Sequence, residues 1–240
     1  MQSVDVIAPH EGFGRLKDRD GEKRLEMGPL FFEQRIARRF EVLFGVNNME
    51  YTLEEKYRLI KNAVLSSDSR NPIEIAKSVM HKDFVNIHGP EHHFLDGAAF
   101  MVAYKNSGGD IDLDKAIDIL AERIIKMPGA MCGYWGMCGS VASVAAVLAI
   151  IHEVGPLSST PYYGEDMEFT SSVIKKMSEI GGPRCCKRNA FLSLGYGVRF
   201  LKEKYGIEMD LGEIECEFSS WNKQCIGTRC PFHKANADEK

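Results

Sequence analysis

The sequence predicts a mainly α-helical fold, a single helical-bundle-like domain whose cysteine-rich C-terminal tail is placed to bind metal. Three observations predict it. Apolar residues recur at spacings of three and four along most of the chain. Capping residues and breakers stand at the ends of those runs, and alternating strand patterns are weak.

Residues 1–28 are polar and glycine-bearing without a sustained period, and read as an extended or partly ordered arm. A helical, cysteine-rich domain is expected over 29–240, with its metal-binding tail at about 211–233. Phe32, Ile36, Phe40 and Leu43 make the first periodic run, which Gly45 ends. Thr52 and Glu55 form a capping-box pair for a helix carrying Tyr57, Ile60 and Val64. Asn71 and Pro72 supply an N-cap and a first-position proline for a short helix to Met80. Pro90 is expected to open a helix through about Lys105, and Asp112 to cap one carrying Ala116, Ile117, Leu120 and Ile124. The segment from Gly139 to about Val154 is apolar nearly all round and reads as the central core helix. A loop is expected over 155–163. A helix then carries Phe169, Val173, Met177 and Ile180 to the stop at Gly181 and Gly182. Pro183 is expected to start the last helix, which Gly206 ends and in which Gly195 and Gly197 permit close packing. Residues 207–214 have a weak extended signal.

With 240 residues, 44% apolar and 27% charged, the chain is long enough to bury a core without disulfide staples. A net charge of −4 gives no footprint for nucleic acid. The N-terminal stretch lacks the apolar core of a secretory signal, and the longest apolar run, Val141 to Ile151, is about half the span a bilayer needs. A cytoplasmic, reducing setting is therefore expected, with cysteines as thiols or metal ligands and no membrane partner.

The seven cysteines fall into three groups. Cys132 and Cys138 frame a GYWGM loop, Cys185 and Cys186 are adjacent, and Cys216, Cys225 and Cys230 lie in the tail, with Pro231 following the last. Cys138 is expected beside the N-cap of its helix, and Cys185 and Cys186 in the first turn of theirs. Free N–H groups there, with Arg184, Lys187 and Arg188 alongside, favour thiolate and so predict lowered thiol pKa values. The tail spacing matches no paired zinc knuckle, and thiols in excess of four favour an iron–sulfur cluster, 4Fe-4S in type, over a lone zinc. Zinc in the tail, with His233 as a fourth ligand, is the alternative, and a metal-free redox pair at Cys185 and Cys186 is a third reading.

Candidate catalytic residues are His88, His92, His93, Cys138 and Cys185. The histidines sit at a helix start beside Glu91, where they could relay protons or bind metal; an exposed helix start with Glu91 favoured by the dipole is the plainer reading. His152 reads as a dipole partner at a helix C-terminus. Trp135, next to Tyr134 in the GYWGM loop, could wall a substrate pocket or pack in the core, and Arg184 and Lys187 could hold an anion. No dinucleotide fingerprint, P-loop or serine-hydrolase elbow is present.

Four segments in order, HGPEHHFLDGAAFMVAY, PGAMCGYWGMCGSVASV, GGPRCCKRNAFLSL and CEFSSWNKQCIGTRCPF, resemble the domain-of-unknown-function 5714 family over roughly residues 80–233. The stretch SVASVAAV after the second cysteine departs mildly from the family pattern. The resemblance implies a protein of anaerobic archaea and bacteria, an oxygen-sensitive cluster, and one-carbon or sulfur metabolism. Some members are fused to a methyltransferase domain; no such pattern stands in this sequence, which argues against methyl transfer by this chain alone.

The expected function is that of an iron–sulfur enzyme of sulfur, redox or one-carbon metabolism, acting on a small anionic or sulfur-containing substrate. Cys216, Cys225, Cys230 and one upstream cysteine would hold the cluster, and the rest of Cys132, Cys138, Cys185 and Cys186 would be redox-active, carry sulfur or bind a second cluster. A methyltransferase or an electron-transfer protein is the expected partner. The alternative is a zinc-stabilised helical module that docks such a protein without catalysis.

Overall fold

In a computed structural model, residues 51–236 are described. The arm over 1–28 and the periodic run around Phe32 to Leu43 lie outside the described residues. The capping box at Thr52 forms on both sides, opening α1 (Leu53–Leu65). Asn71 accepts from the amides of Ile73 and Glu74 and starts α2 (Pro72–Met80). Next come α3 (Glu91–Asn106), α4 (Leu113–Ile124, capped by Asp112), the single turn α5 (Met131–Tyr134) and α6 (Gly139–Ile151). The long helices α7 (Pro161–Ile180) and α8 (Cys186–Tyr205) follow. Past Gly206, whose φ of 68° suits a glycine C-cap, the helices among the described residues are two 3₁₀ turns, Gly227–Arg229 and Lys234–Asn236. Among the described residues there is no strand, and Cys216 and His233 form one isolated bridge.

The central helix is α3, not α6 as the apolar run suggested. Every residue of α3 from Glu91 to Tyr104 is buried, and it packs on α1, α2, α4, α6 and α8. On α6, Ala142, Ala145, Ala146, Ala149, Ile150 and Ile151 stay half-buried. Hydropathy alone misled because α3 carries Glu91, His92, His93 and Asp96 inward, where polar groups of its neighbours meet some of them. Two other boundaries moved. Pro161 starts α7 inside the expected loop, with Thr160 at the N-cap, and α8 begins at Cys186 rather than at Pro183. Residues 207–214 are irregular rather than extended into a strand.

The tail is pinned to the helices. Asn71 Nδ2 donates to Leu211 O (3.2 Å), the Asp210 amide donates to Arg70 O (3.1 Å), and Glu217 pairs with Lys77 and His81 of the α2 end. Phe218 is buried, and Phe232 meets the Phe191 ring of α8 edge-on at 5.5 Å. These contacts hold the tail cysteines beside the start of α8.

The two helix glycines behave differently. A Cβ at Gly197 would lie 2.7 Å from the Phe100 ring and 3.1 Å from Val144, whereas at Gly195 the nearest atom is 3.6 Å away. Gly197→Ala is expected to destabilise by about 1–3 kcal/mol through overpacking. Gly195→Ala should be neutral or stabilise by up to about 1 kcal/mol, since only the helix penalty of glycine is removed. Urea denaturation of the two variants checks this; equal effects would contradict the packing described.

Candidate functional site

Four of the seven cysteines line one small pocket that opens to solvent: Cys185 from the cap of α8, and Cys216, Cys225 and Cys230 from the tail. Lys187, Arg188, Phe218, Asn222, Phe232 and His233 also line it. Among the described residues, no three His, Cys, Asp or Glu side chains gather tightly enough to hold a single metal ion as placed. The four thiols ring a space instead of meeting at a point.

Two sulfurs of this set receive N–H donors. Cys185 is the α8 N-cap, and its Sγ accepts from the Arg188 amide (3.4 Å) and from Asn222 Nδ2 (3.5 Å). Cys225 Sγ accepts from the Gly227 amide (3.4 Å). The amides of Phe218 and Phe232, each two residues past its cysteine, pull the Cys216 and Cys230 thiols down electrostatically. Donors of this kind, with the Lys187 and Arg188 cations nearby, suit an anionic sulfur-ligated group.

A second, inner set comprises Cys132, Cys138 and Cys186, whose thiols are electrostatic neighbours in sequence: Cys186 with Cys138, and Cys138 with Cys132. Cys138 is the N-cap of α6, as expected, and its Sγ accepts from Asn189 Nδ2 (3.3 Å). The expected lowering of thiol pKa values is reversed at Cys138 and Cys186. Burial pushes Cys186 up to about 12 and Cys216 up to about 11, and raises Cys138 and Cys230, against the opposing pull of the N–H donors. Desolvation of a thiolate outweighs a helix N-terminus once the sulfur leaves water.

The exposed-start reading of the histidine cluster fails. Glu91, His92 and His93 are only 0%, 1% and 8% exposed, and Pro90 is the N-cap rather than the first helical residue. Glu91 Oε1 accepts from the Asn86 amide (2.8 Å) and faces Lys56 Nζ (3.5 Å). Lys187 Nζ donates to Asn86 O (3.0 Å) and lies 2.9 Å from His92 Nε2. Burial lowers the Lys187 ammonium to about 8 and holds His92 well below its usual range. His93 lies over Gly139, where a Cβ would come within 2.4 Å of its Nε2, and burial lowers it to about 4. One turn on, Asp96 is fully buried; Ser140 beside it donates to Ser193 Oγ (3.0 Å), and neither Asp96 oxygen has a well-formed hydrogen bond. Burial raises its carboxyl to about 7, against Ser140 and Lys187.

His88 lies between the two thiol sets, 3.0 Å from Asn222 Oδ1 and 3.4 Å from the Cys186 amide. Arg184 is half-buried and its charge reaches His88. Trp135 and Tyr134 are 67% and 63% exposed, so neither is a core aromatic, and neither lines the cysteine cavity. His152 does cap the C-terminus of α6, and it also contacts Asp166 at 3.0 Å and stacks on Tyr162. Sequence reasoning missed Asn86, Asp96, Asn189 and Asn222. Asp96 had a signal, a carboxylate inside the apolar run from Phe94 to Val102. The three asparagines had none.

The family profile of DUF5714 matches residues 60–233, a stretch that takes in every cysteine and histidine just described. The chain belongs to this family of unknown function. Neither a search of curated proteins nor one of solved structures finds a match. The DUF5714 match begins inside α1 and ends at His233, so it spans the helical scaffold and the tail together. No described helix is long and apolar enough to cross a membrane.

The Lys56–Glu91 pair is the buried ion pair beneath this site. Lys56→Met leaves the buried Glu91 carboxylate with the Asn86 amide donating to Oε1 and no facing ammonium, and is expected to cost about 3–5 kcal/mol in urea denaturation. Lys56→Met/Glu91→Leu should cost less than the single change. A single variant within about 0.5 kcal/mol of the parent would show that the pair carries no stability.

Proposed function

We propose that this DUF5714 member is an iron–sulfur protein whose 4Fe-4S cluster is ligated by Cys185, Cys216, Cys225 and Cys230. The observation that carries the reading is the gathering of these four thiols, from segments up to 45 positions apart, on one pocket, with N–H donors at Cys185 and Cys225. Four thiolates are the number of ligands that one such cluster takes. Such a group supplies electron transfer or a Lewis-acidic iron.

Around it, the chain's own residues divide the work of an enzyme acting on a small anionic or sulfur-containing substrate. Arg184 and Lys187 supply positive charge for an anion. His92 beside Lys187 and His93 over Gly139, the residue after Cys138, are the groups that could accept a proton there. Cys132, Cys138 and Cys186 are redox-active, carry sulfur or hold a second cluster. An electron-transfer protein or a methyltransferase is the partner, and the setting is the cytoplasm of an anaerobe. One observation favours a second reading: His233 lines the same cavity, which gives a zinc-stabilised docking module a nitrogen ligand.

Protein purified without oxygen is expected to be brown, with at least about four iron and four acid-labile sulfide per chain. Cys225→Ser should lose most of both. Colourless protein with about one tightly held zinc would decide for the docking module.

A further inference from the structure

Two backbone donors set the direction of a hydrogen-bond chain that joins the adjacent cysteines to the tail. The first is the amide of Gln224, 2.9 Å from Asn222 Oδ1. A backbone N–H only donates, so the atom it meets is the carboxamide oxygen. The other carboxamide atom, 3.5 Å from Cys185 Sγ, is therefore the nitrogen, which donates to the sulfur. The second fixed donor is the amide of Cys186, 3.4 Å from His88 Nδ1. That ring nitrogen accepts and carries no proton. The ring proton then sits on Nε2, which lies 3.0 Å from Asn222 Oδ1, an atom that only accepts. Every direction agrees: Cys186 N–H to His88 Nδ1, His88 Nε2–H to Asn222 Oδ1, and Asn222 Nδ2–H to Cys185 Sγ. Asn222 itself is buried.

We propose that His88 and Asn222 are positioning residues that hold one ring tautomer and one amide orientation so that a side-chain donor points at the Cys185 sulfur. The proposal rests on the reading of Cys185 as a cluster ligand, and it gives His88 a holding role in place of proton carriage. In the tail, Cys225 takes its donor from the backbone. Cys185 also takes one from a side chain, so its electronic environment can be altered by substitution without moving the main chain. Hydrogen bonds to cluster sulfurs favour the reduced, more negative state and raise the reduction potential.

The test has two arms. In the first, nitrogen NMR of the metal-free full chain reads the His88 tautomer, with the Nε2–H form expected. The Nδ1–H form overturns the proposal whether or not a cluster ever binds. In the second, the reduction potential of the reconstituted full chain is compared with that of Asn222→Ala and Asn222→Asp. The aspartate keeps both bonds accepted at Oδ1, which guards against loss of fold, but it replaces the donor with a negative charge, so its shift should be at least as large as that of the alanine. Both variants should shift the one-electron equilibrium by roughly tenfold toward the oxidised state, about 59 mV more negative. His88→Leu should give part of that shift, and His88→Gln, which retains a donor for Asn222, less of it. Potentials unchanged at equal iron and sulfide content overturn the proposal. A chain that assembles no cluster under any condition overturns the parent reading instead, and the first arm then decides the tautomer by itself.

Discussion

The arrangement depends on the main chain of Asn86. Its amide donates to Glu91 Oε1 at the start of α3, and its carbonyl accepts from Lys187 in the first turn of α8. Lys56 of α1 faces the same carboxylate from the other side. Three helices are thus tied to one loop residue by buried charges, each meeting an oppositely charged or polar partner. A buried charge is tolerated only with such partners, and losing one strands the rest. The start of α8 carries Cys185 and Cys186, so the junction that satisfies Lys187 also sets where the adjacent thiols stand. A polar interior of this kind costs stability relative to an apolar one, which is the usual sign that position is under selection for something besides folding.

Much of the scaffold was legible in the sequence, because local chemistry decides helix ends. Thr52 with Glu55, Asn71 with Pro72, Asp112, Cys138 and Gly206 all cap where the pattern placed them. The close approach at Gly197 was also legible as a glycine inside a helix. What failed were inferences about depth. Apolar composition pointed to α6 as the hub, yet α3 holds that place with four titratable residues in its first six positions. Position along a chain does not reveal burial when charges find partners from distant segments, as Glu91 does with Lys56 and His92 with Lys187.

The thiols show the same limit. Their grouping suggested that three tail cysteines would meet one from upstream, and the fold brings Cys185 to them. Their protonation was misjudged, because the N–H groups and cations were visible in the sequence while the desolvation was not. Both act on Cys186, and burial wins. The asparagines that touch sulfur, Asn189 and Asn222, were illegible for another reason. Their amides matter only through contacts made across 51 and 37 positions of sequence.

The chain has just two tryptophans, and they stand at telling places. Trp135 lies in the loop between Cys132 and Cys138, and Trp221 sits next to Asn222 between Cys216 and Cys225; both indoles are largely exposed. The intrinsic emission of this protein therefore comes from the two cysteine-bearing loops and carries little information from the helical interior. With excitation selective for tryptophan, which leaves the buried Tyr57 and Tyr104 unexcited, changes in emission or in quenching would report events at those loops, which makes the unlabelled chain its own local probe.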